Sequence, residues 1–135
     1  MTLESATTTY TIAEPFDRAV QMVRRALAGA DLRITGELNM SGRIQRSLMI
    51  QTAPCVVLFV CPAAAPESFS ADRAATALTP LHVVVSSRGS QTDVHVLHVL
   101  PHGVGKSEAS PVLSRMVMVM GQAIEAVGMR AGVAA

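Results

Sequence analysis

Tryptophan is absent, tyrosine occurs once and phenylalanine three times, so aromatic residues make up 3% of the 135-residue chain. That leaves few platforms on which nucleobases or sugar rings could stack. Charge is also scarce: 16% of residues are charged, and the formal net charge is +1. No basic face of the kind a nucleic-acid binder shows is visible, so no nucleic-acid partner is expected. The ten acidic residues are scattered, with no paired arrangement of the glycosidase kind, and no nucleophile-elbow pattern occurs. No residue is assigned a catalytic role, and no cofactor is expected. The opening segment MTLESATTTYTIAEP lacks the basic start and apolar stretch of a secretory leader.

The longest uncharged run, Ser47 to Pro66, is nominally long enough to span a bilayer. Pro54, Pro62 and Pro66 would break such a helix repeatedly, and Gln51 and Thr52 sit near its middle. A buried strand bounded by prolines is expected instead, with a cytoplasmic location and no membrane partner.

What the chain does have is apolar content. Half of its residues are hydrophobic, which excludes a disordered chain, and its length suits one domain. A single domain over 1–135 is expected, with its core at about 8–128 and a frayed tail at 130–135. Eight methionines, several bunched near the end, suit gaps in a core or an adaptable dimer interface. A soft-metal site would need partner ligands that the sequence does not offer, so no metal ligands are assigned.

Threonine-rich ESATTTYTI reads as a first strand. Pro15 then opens a helix in which Phe16, Ala19, Val20, Val23, Leu27 and Ala30 follow helical spacing. DLRITGELNM reads as a strand broken near Gly36, and SGRIQRSLM as a short helix. CVVLFVC reads as a strand buried on both faces. PESFSADRAATALTP suggests another helix, and LHVVVSS and DVHVLHVL a hairpin joined by RGSQT. SPVLSRMVMVMGQAIEAVGMR closes the chain as a helix apolar on most of its circumference, which predicts cover on more than one side. The order β-α-β-(α)-β-α-β-β-α predicts an α+β fold: a mostly antiparallel sheet of about five strands with helices packed on one face.

In that order, PFDRAVQMVRRALAGADLRI, FVCPAAAPESFSADRAATALTPLHVVVSS and VHVLHVLPH resemble domain-of-unknown-function family 302, with the similarity spanning roughly residues 8 to 128. The resemblance implies a small homodimeric α/β protein with a Cys-Pro motif and carries no settled activity. The family usually has Asn between the motif Cys and Pro, and often a second Cys after the proline preceding the VVV strand. Here Pro62 directly follows Cys61, and Leu81 follows Pro80, so no thiol-pair function carries over.

Cys55 and Cys61 share one face of their strand at a separation of roughly 20 Å. A disulfide needs Cα atoms within about 7 Å, so the two cannot bridge each other. Their spacing also matches no common zinc pattern. Cys61, at a strand end beside Pro62, is the better candidate for ligand contact, because a helix N-terminus approaching there would favour thiolate. In the hairpin, the expected register sets His82 opposite Leu97 and Val84 opposite His95. His82 and His95 then become diagonal neighbours roughly 7–8 Å apart, on one face with Asp93. His82, His95, Asp93 and Cys61 are the ligand-binding candidates.

LPHGVGKS matches a phosphate-loop pattern except at its first position, Leu100. Pro111 falls inside the helix that such a loop must open, so the reading is a polar loop feeding a helix whose first turn contains Pro111. Gly103, Gly105, Lys106 and Ser107 remain weak anion-binding candidates. Arg24, Arg25, Arg43 and Arg46 read as two small basic spots on solvated helix faces.

The function expected is a non-enzymatic homodimeric module that binds a small ligand or partner in the crevice between sheet and helix. One alternative is a metal-binding protein or enzyme using the His82/His95 pair. Another is a pure interaction protein.

Overall fold

The computed structural model describes residues 2–49, 52–63, 80–102 and 111–134. Along the chain these form β1 (Thr2–Ile12), α1 (Phe16–Gly29), β2 (Leu32–Asn39), α2 (Met40–Leu48), β3 (Cys55–Pro62), β4 (Leu81–Arg88), β5 (Gln91–His102), α3 (Pro111–Glu125) and β6 (Met129–Ala134). The expected helix between Pro66 and Pro80 lies outside the described residues.

A two-residue turn organises the centre of the sheet. Gly89 has φ +66, while Ser90 does not adopt a positive φ. That combination, with glycine first, is the signature of a type II′ hairpin, whose twist matches that of the flanking strands. It sets His82 opposite Leu97, Val84 opposite His95 and Ser86 opposite Asp93. This is the register expected from the sequence. Among the described residues the sheet has six strands in the order β2-β3-β4-β5-β1-β6, with every neighbouring pair antiparallel.

One face of this α+β fold carries the core. Leu58, Val60, Leu81, Val83, Val85, Val94 and Val96 alternate inward along the strands. They meet Ala19, Val23 and Leu27 of α1 and Leu113, Met116, Met120 and Ile124 of α3. The helical spacing read for α1 is thus the spacing of its buried stripe, with Phe16, Val20 and Ala30 half-buried beside it. Pro15 occupies the N-cap position rather than the first turn, and its carbonyl accepts from the Ala19 amide at 2.9 Å.

Three expectations need correction. β3 is not buried on both faces: only Leu58 and Val60 are buried, while Cys55, Val57, Phe59 and Cys61 are half-buried. The cover expected for α3 on more than one side is incomplete, since Met118 is 55% exposed. Where the tail at 130–135 was expected to fray, residues 129–134 form a sixth strand paired with β1. The break expected near Gly36 takes the form of a bulge between Ile34 and Gly36. Because side-chain direction alternates, the extra residue turns Glu37 and Asn39 onto the helix-covered face, opposite Leu58 and Val56. Among the described residues, no helix is long and apolar enough to cross a membrane.

The link from α3 into β6 passes close to β1. A Cβ added at Gly128 would lie 2.9 Å from Ile12 Cγ1 and 3.2 Å from the Thr11 carbonyl oxygen. Ile12 is fully buried and the other contact is backbone, so neither yields cheaply. Gly128→Ala is expected to cost about 1–3 kcal/mol in denaturant unfolding. An unchanged midpoint would contradict this close approach.

Candidate functional site

The sheet face away from α1 and α3 gathers polar side chains from three strands. On β5, His95 stands between two hydroxyls: Thr9 Oγ1 of β1 lies 3.0 Å from its Nδ1, and Ser86 Oγ of β4 lies 3.3 Å from its Nε2. A neutral imidazole carries one donor and one acceptor nitrogen, so one hydroxyl accepts from His95 and the other donates to it. Next along the same face, Thr11 Oγ1 donates to Asp93 Oδ1 at 3.0 Å, and Arg88 Nε pairs with Asp93 Oδ2 at 3.1 Å. Arg88 Nη2 also reaches Thr11 Oγ1 at 3.4 Å. These residues meet because β1 lies beside β5, placing Thr9 opposite His95 and Thr11 opposite Asp93.

The pairing of β4 and β5 makes His82 and His95 diagonal neighbours on one face, with Asp93 on that face too. His82 itself is exposed and meets Phe59 edge-on, with ring centroids 5.1 Å apart at 79°. Both nitrogens of His95 already have hydroxyl partners. Among the described residues, no group of three histidines, cysteines or acids is placed to hold a metal ion.

Ser86, His95 and Thr9 form a chain along which a proton could pass. Acyl transfer would also need donors aimed at a developing oxyanion. β4 is paired on both sides at Ser86, with Cys55 and with Asp93, so its backbone is engaged in the two ladders. The network reads as a polar clamp across β4, β5 and β1.

Cys55 and Cys61 are both free and half-buried on the same face of β3. Thr35 Oγ1 lies 3.9 Å from Cys61 Sγ. Burial pushes the Cys55 thiol above its ordinary value. The segment following Pro62 from which a helix could approach Cys61 lies outside the described residues, as do Gly103, Gly105, Lys106 and Ser107. Pro111 opens α3, as the polar-loop reading predicts.

A separate concavity lies beside α1, where sequence reasoning assigned no site residues. It encloses about 760 Å³ and is lined by Phe16, Val20, Gln21, Arg24 and Arg25 of α1, Glu37 and Asn39 of β2, and Pro54, Cys55 and Val56 around the start of β3. Arg24 forms an ion pair with Glu37 there. The bulge at Thr35 makes this pairing available, because strict alternation would have turned Glu37 to the other face. Asn39 is held by its capping role, its Oδ1 accepting from the Gly42 amide at 2.9 Å and from Ser41 Oγ at 2.8 Å. None of His82, Asp93, His95 and Cys61 lines this crevice. A sequence signal for it existed in the break at Gly36, but its effect on Glu37 depends on the strand opposite.

Two measurements test this geometry. A double-mutant cycle over Thr9→Val and His95→Leu should return a coupling of about 0.5–1.5 kcal/mol in unfolding free energy; additive effects would remove the bond. In a Cys61→Ser background, the alkylation rate of Cys55 should rise with pH at a higher midpoint than in the denatured chain. The sign follows from burial favouring the neutral thiol: its contribution to stability is complete below the unfolded thiol's pKa and is lost as pH climbs through the folded one. A midpoint at or below that of the denatured chain would contradict the burial.

No curated protein matches the chain. Among solved structures, it is similar to the crystal structure of an uncharacterised conserved protein, DUF302, from Bacillus stearothermophilus. The TM-score is 0.66 at 15% identity, covering 90% of this chain and 94% of that one. At this identity the likeness concerns the fold. The model of the domain of unknown function DUF302 matches residues 8–127. β2 to β5, the second half of β1, α1 and α3, the hydroxyl–imidazole clamp and the crevice fall within that match, and the chain belongs to the DUF302 family.

Proposed function

We propose that the protein is a non-enzymatic homodimeric module that takes a small ligand in the crevice beside α1. The observation that carries this reading is the crevice itself. Its volume of about 760 Å³ falls within the roughly 300–1,000 Å³ typical of small-molecule sites. Its lining mixes apolar and polar groups: Phe16, Val20 and Val56 contribute apolar surface, and Gln21, Arg25 and Asn39 offer polar groups. The open face of the sheet supports the dimer. Val57, Phe59, Val84 and Leu97 are half-buried there, on the side opposite the helices. Two copies apposed on this surface would remove that apolar area from water.

Native mass spectrometry of the purified protein reads both parts at once. The expected result is a dimer carrying a co-purified small molecule. Gln21→Trp, at an exposed lining position, should remove the adduct while leaving the dimer. Val84→Glu should yield monomer. A ligand-free dimer would reduce the protein to an interaction module. Stoichiometric metal lost on His82→Ala and His95→Ala would replace the crevice with the histidine face as the site.

A further inference from the structure

Helical spacing sorts the α1 side of the crevice into two rows. Phe16, Val20 and Arg24 are spaced four apart, as are Asp17, Gln21 and Arg25, so each trio runs along the helix as one row. The first row borders the buried stripe of Ala19, Val23 and Leu27 and is half-buried, while the second turns further from the core and is exposed. The inner row is apolar except for Arg24, whose charge Glu37 already matches. The outer row is wholly polar, with an acid at one end, an amide in the middle and a guanidinium at the other.

Among the described residues, the charged side chains lining the crevice are Asp17, Arg24, Arg25 and Glu37. With Arg24 and Glu37 paired, one negative and one positive charge remain, and neither Asp17 nor Arg25 has an ion-pair partner among the described residues. Eight residues of helix set the two about 12 Å apart along α1. The helix dipole accounts for an acid in the first turn. It does not account for Arg25, which lies before the last turn, where no basic residue stands. On the β2 side, Asn39 Oδ1 accepts from the Gly42 amide and Ser41 Oγ. This cap fixes the orientation of the amide group and leaves Nδ2, a two-hydrogen donor, without a partner among the described residues.

We infer that the crevice takes a short peptide with free termini, its ammonium at Asp17 and its carboxylate at Arg25, an inference that rests on the crevice being the ligand site. An extended chain spans about 3.3–3.6 Å per residue, so a separation of about 12 Å corresponds to three or four residues. Gln21, which both donates and accepts, and Asn39 Nδ2 suit the amides of such a chain. Phe16, Val20 and Val56 supply apolar surface for its side chains. A wholly anionic ligand would be repelled at Asp17 and a wholly cationic one at Arg25. A ligand with opposite charges at its two ends complements both.

The test is a nuclear magnetic resonance titration of the full chain with Ala-Leu-Ala in unmodified, N-acetylated and C-amidated forms, followed at the Val20, Gln21 and Val56 amides. The expected result is saturable shifts with the unmodified peptide and binding weaker by about three- to five-fold for each blocked form, the range an exposed ion pair supports. Asp17→Asn should bind the unmodified and N-acetylated peptides alike while still discriminating against the amidated one. Arg25→Gln should show the reverse pattern. Both side chains are exposed, so both variants should keep the wild-type amide spectrum away from α1. Equal binding of the three forms, or discrimination that survives in both variants, would overturn the inference and leave the crevice as the site. No shift with any form would overturn it too. The co-purified adduct then separates the two readings: its loss in Gln21→Trp keeps the crevice as a site for another ligand, and its absence from the wild type removes the crevice as well.

Discussion

Everything on this protein's two faces follows from the pairing of β4 with β5 across the Gly89–Ser90 turn. Side chains in a strand alternate, so a shift of one residue would exchange every inward valine for its outward neighbour. Val83, Val85, Val94 and Val96 are buried against α1 and α3 because of this register. Ser86, Asp93 and His95 emerge on the other side for the same reason. Core and polar network are one decision made at a two-residue turn.

The sheet that results is asymmetric. α1 and α3 supply a continuous apolar cover on one side, and the opposite side mixes half-buried Val57, Phe59, Val84 and Leu97 with hydroxyls, an ion pair and an imidazole. Such a face is too polar to serve as a second core in the single chain, yet it carries more apolar surface than a fully wet one needs. Thr9, Ser86 and His95, and likewise Thr11, Asp93 and Arg88, already partner one another, which lowers the cost of covering them. The crevice beside α1 is a different product of the same sheet. The bulge at Thr35 rotates the end of β2 and so delivers Glu37 and Asn39 to the helix side.

Legibility in the sequence tracked how local each determinant was. The buried stripe of α1 was readable because Ala19, Val23 and Leu27 repeat at helical spacing within one segment. The hairpin register was readable because a two-residue turn leaves one pairing that keeps the valines together. The partners of His95 were not readable. Thr9 lies 86 residues away and reaches it only because β1 inserts beside β5, a choice of topology that no local pattern announces. The same holds for β6: a short tail of small residues looks frayed until the free edge of β1 is known to be available. The direction of Glu37 was not readable, because it depends on an extra residue whose presence shows only against β3. His82, His95 and Asp93 were therefore correctly grouped on one face, while the residues lining the crevice between sheet and helix stayed unassigned.

The face division is the claim on which the rest stands, and the cross-strand nuclear Overhauser pattern between β4 and β5 measures it directly. Backbone contacts should pair Val84 with His95 and Ser86 with Asp93. Contacts pairing His95 with Val83 or Val85 instead would move the imidazole to the helix-covered side, and the open face described here would not exist.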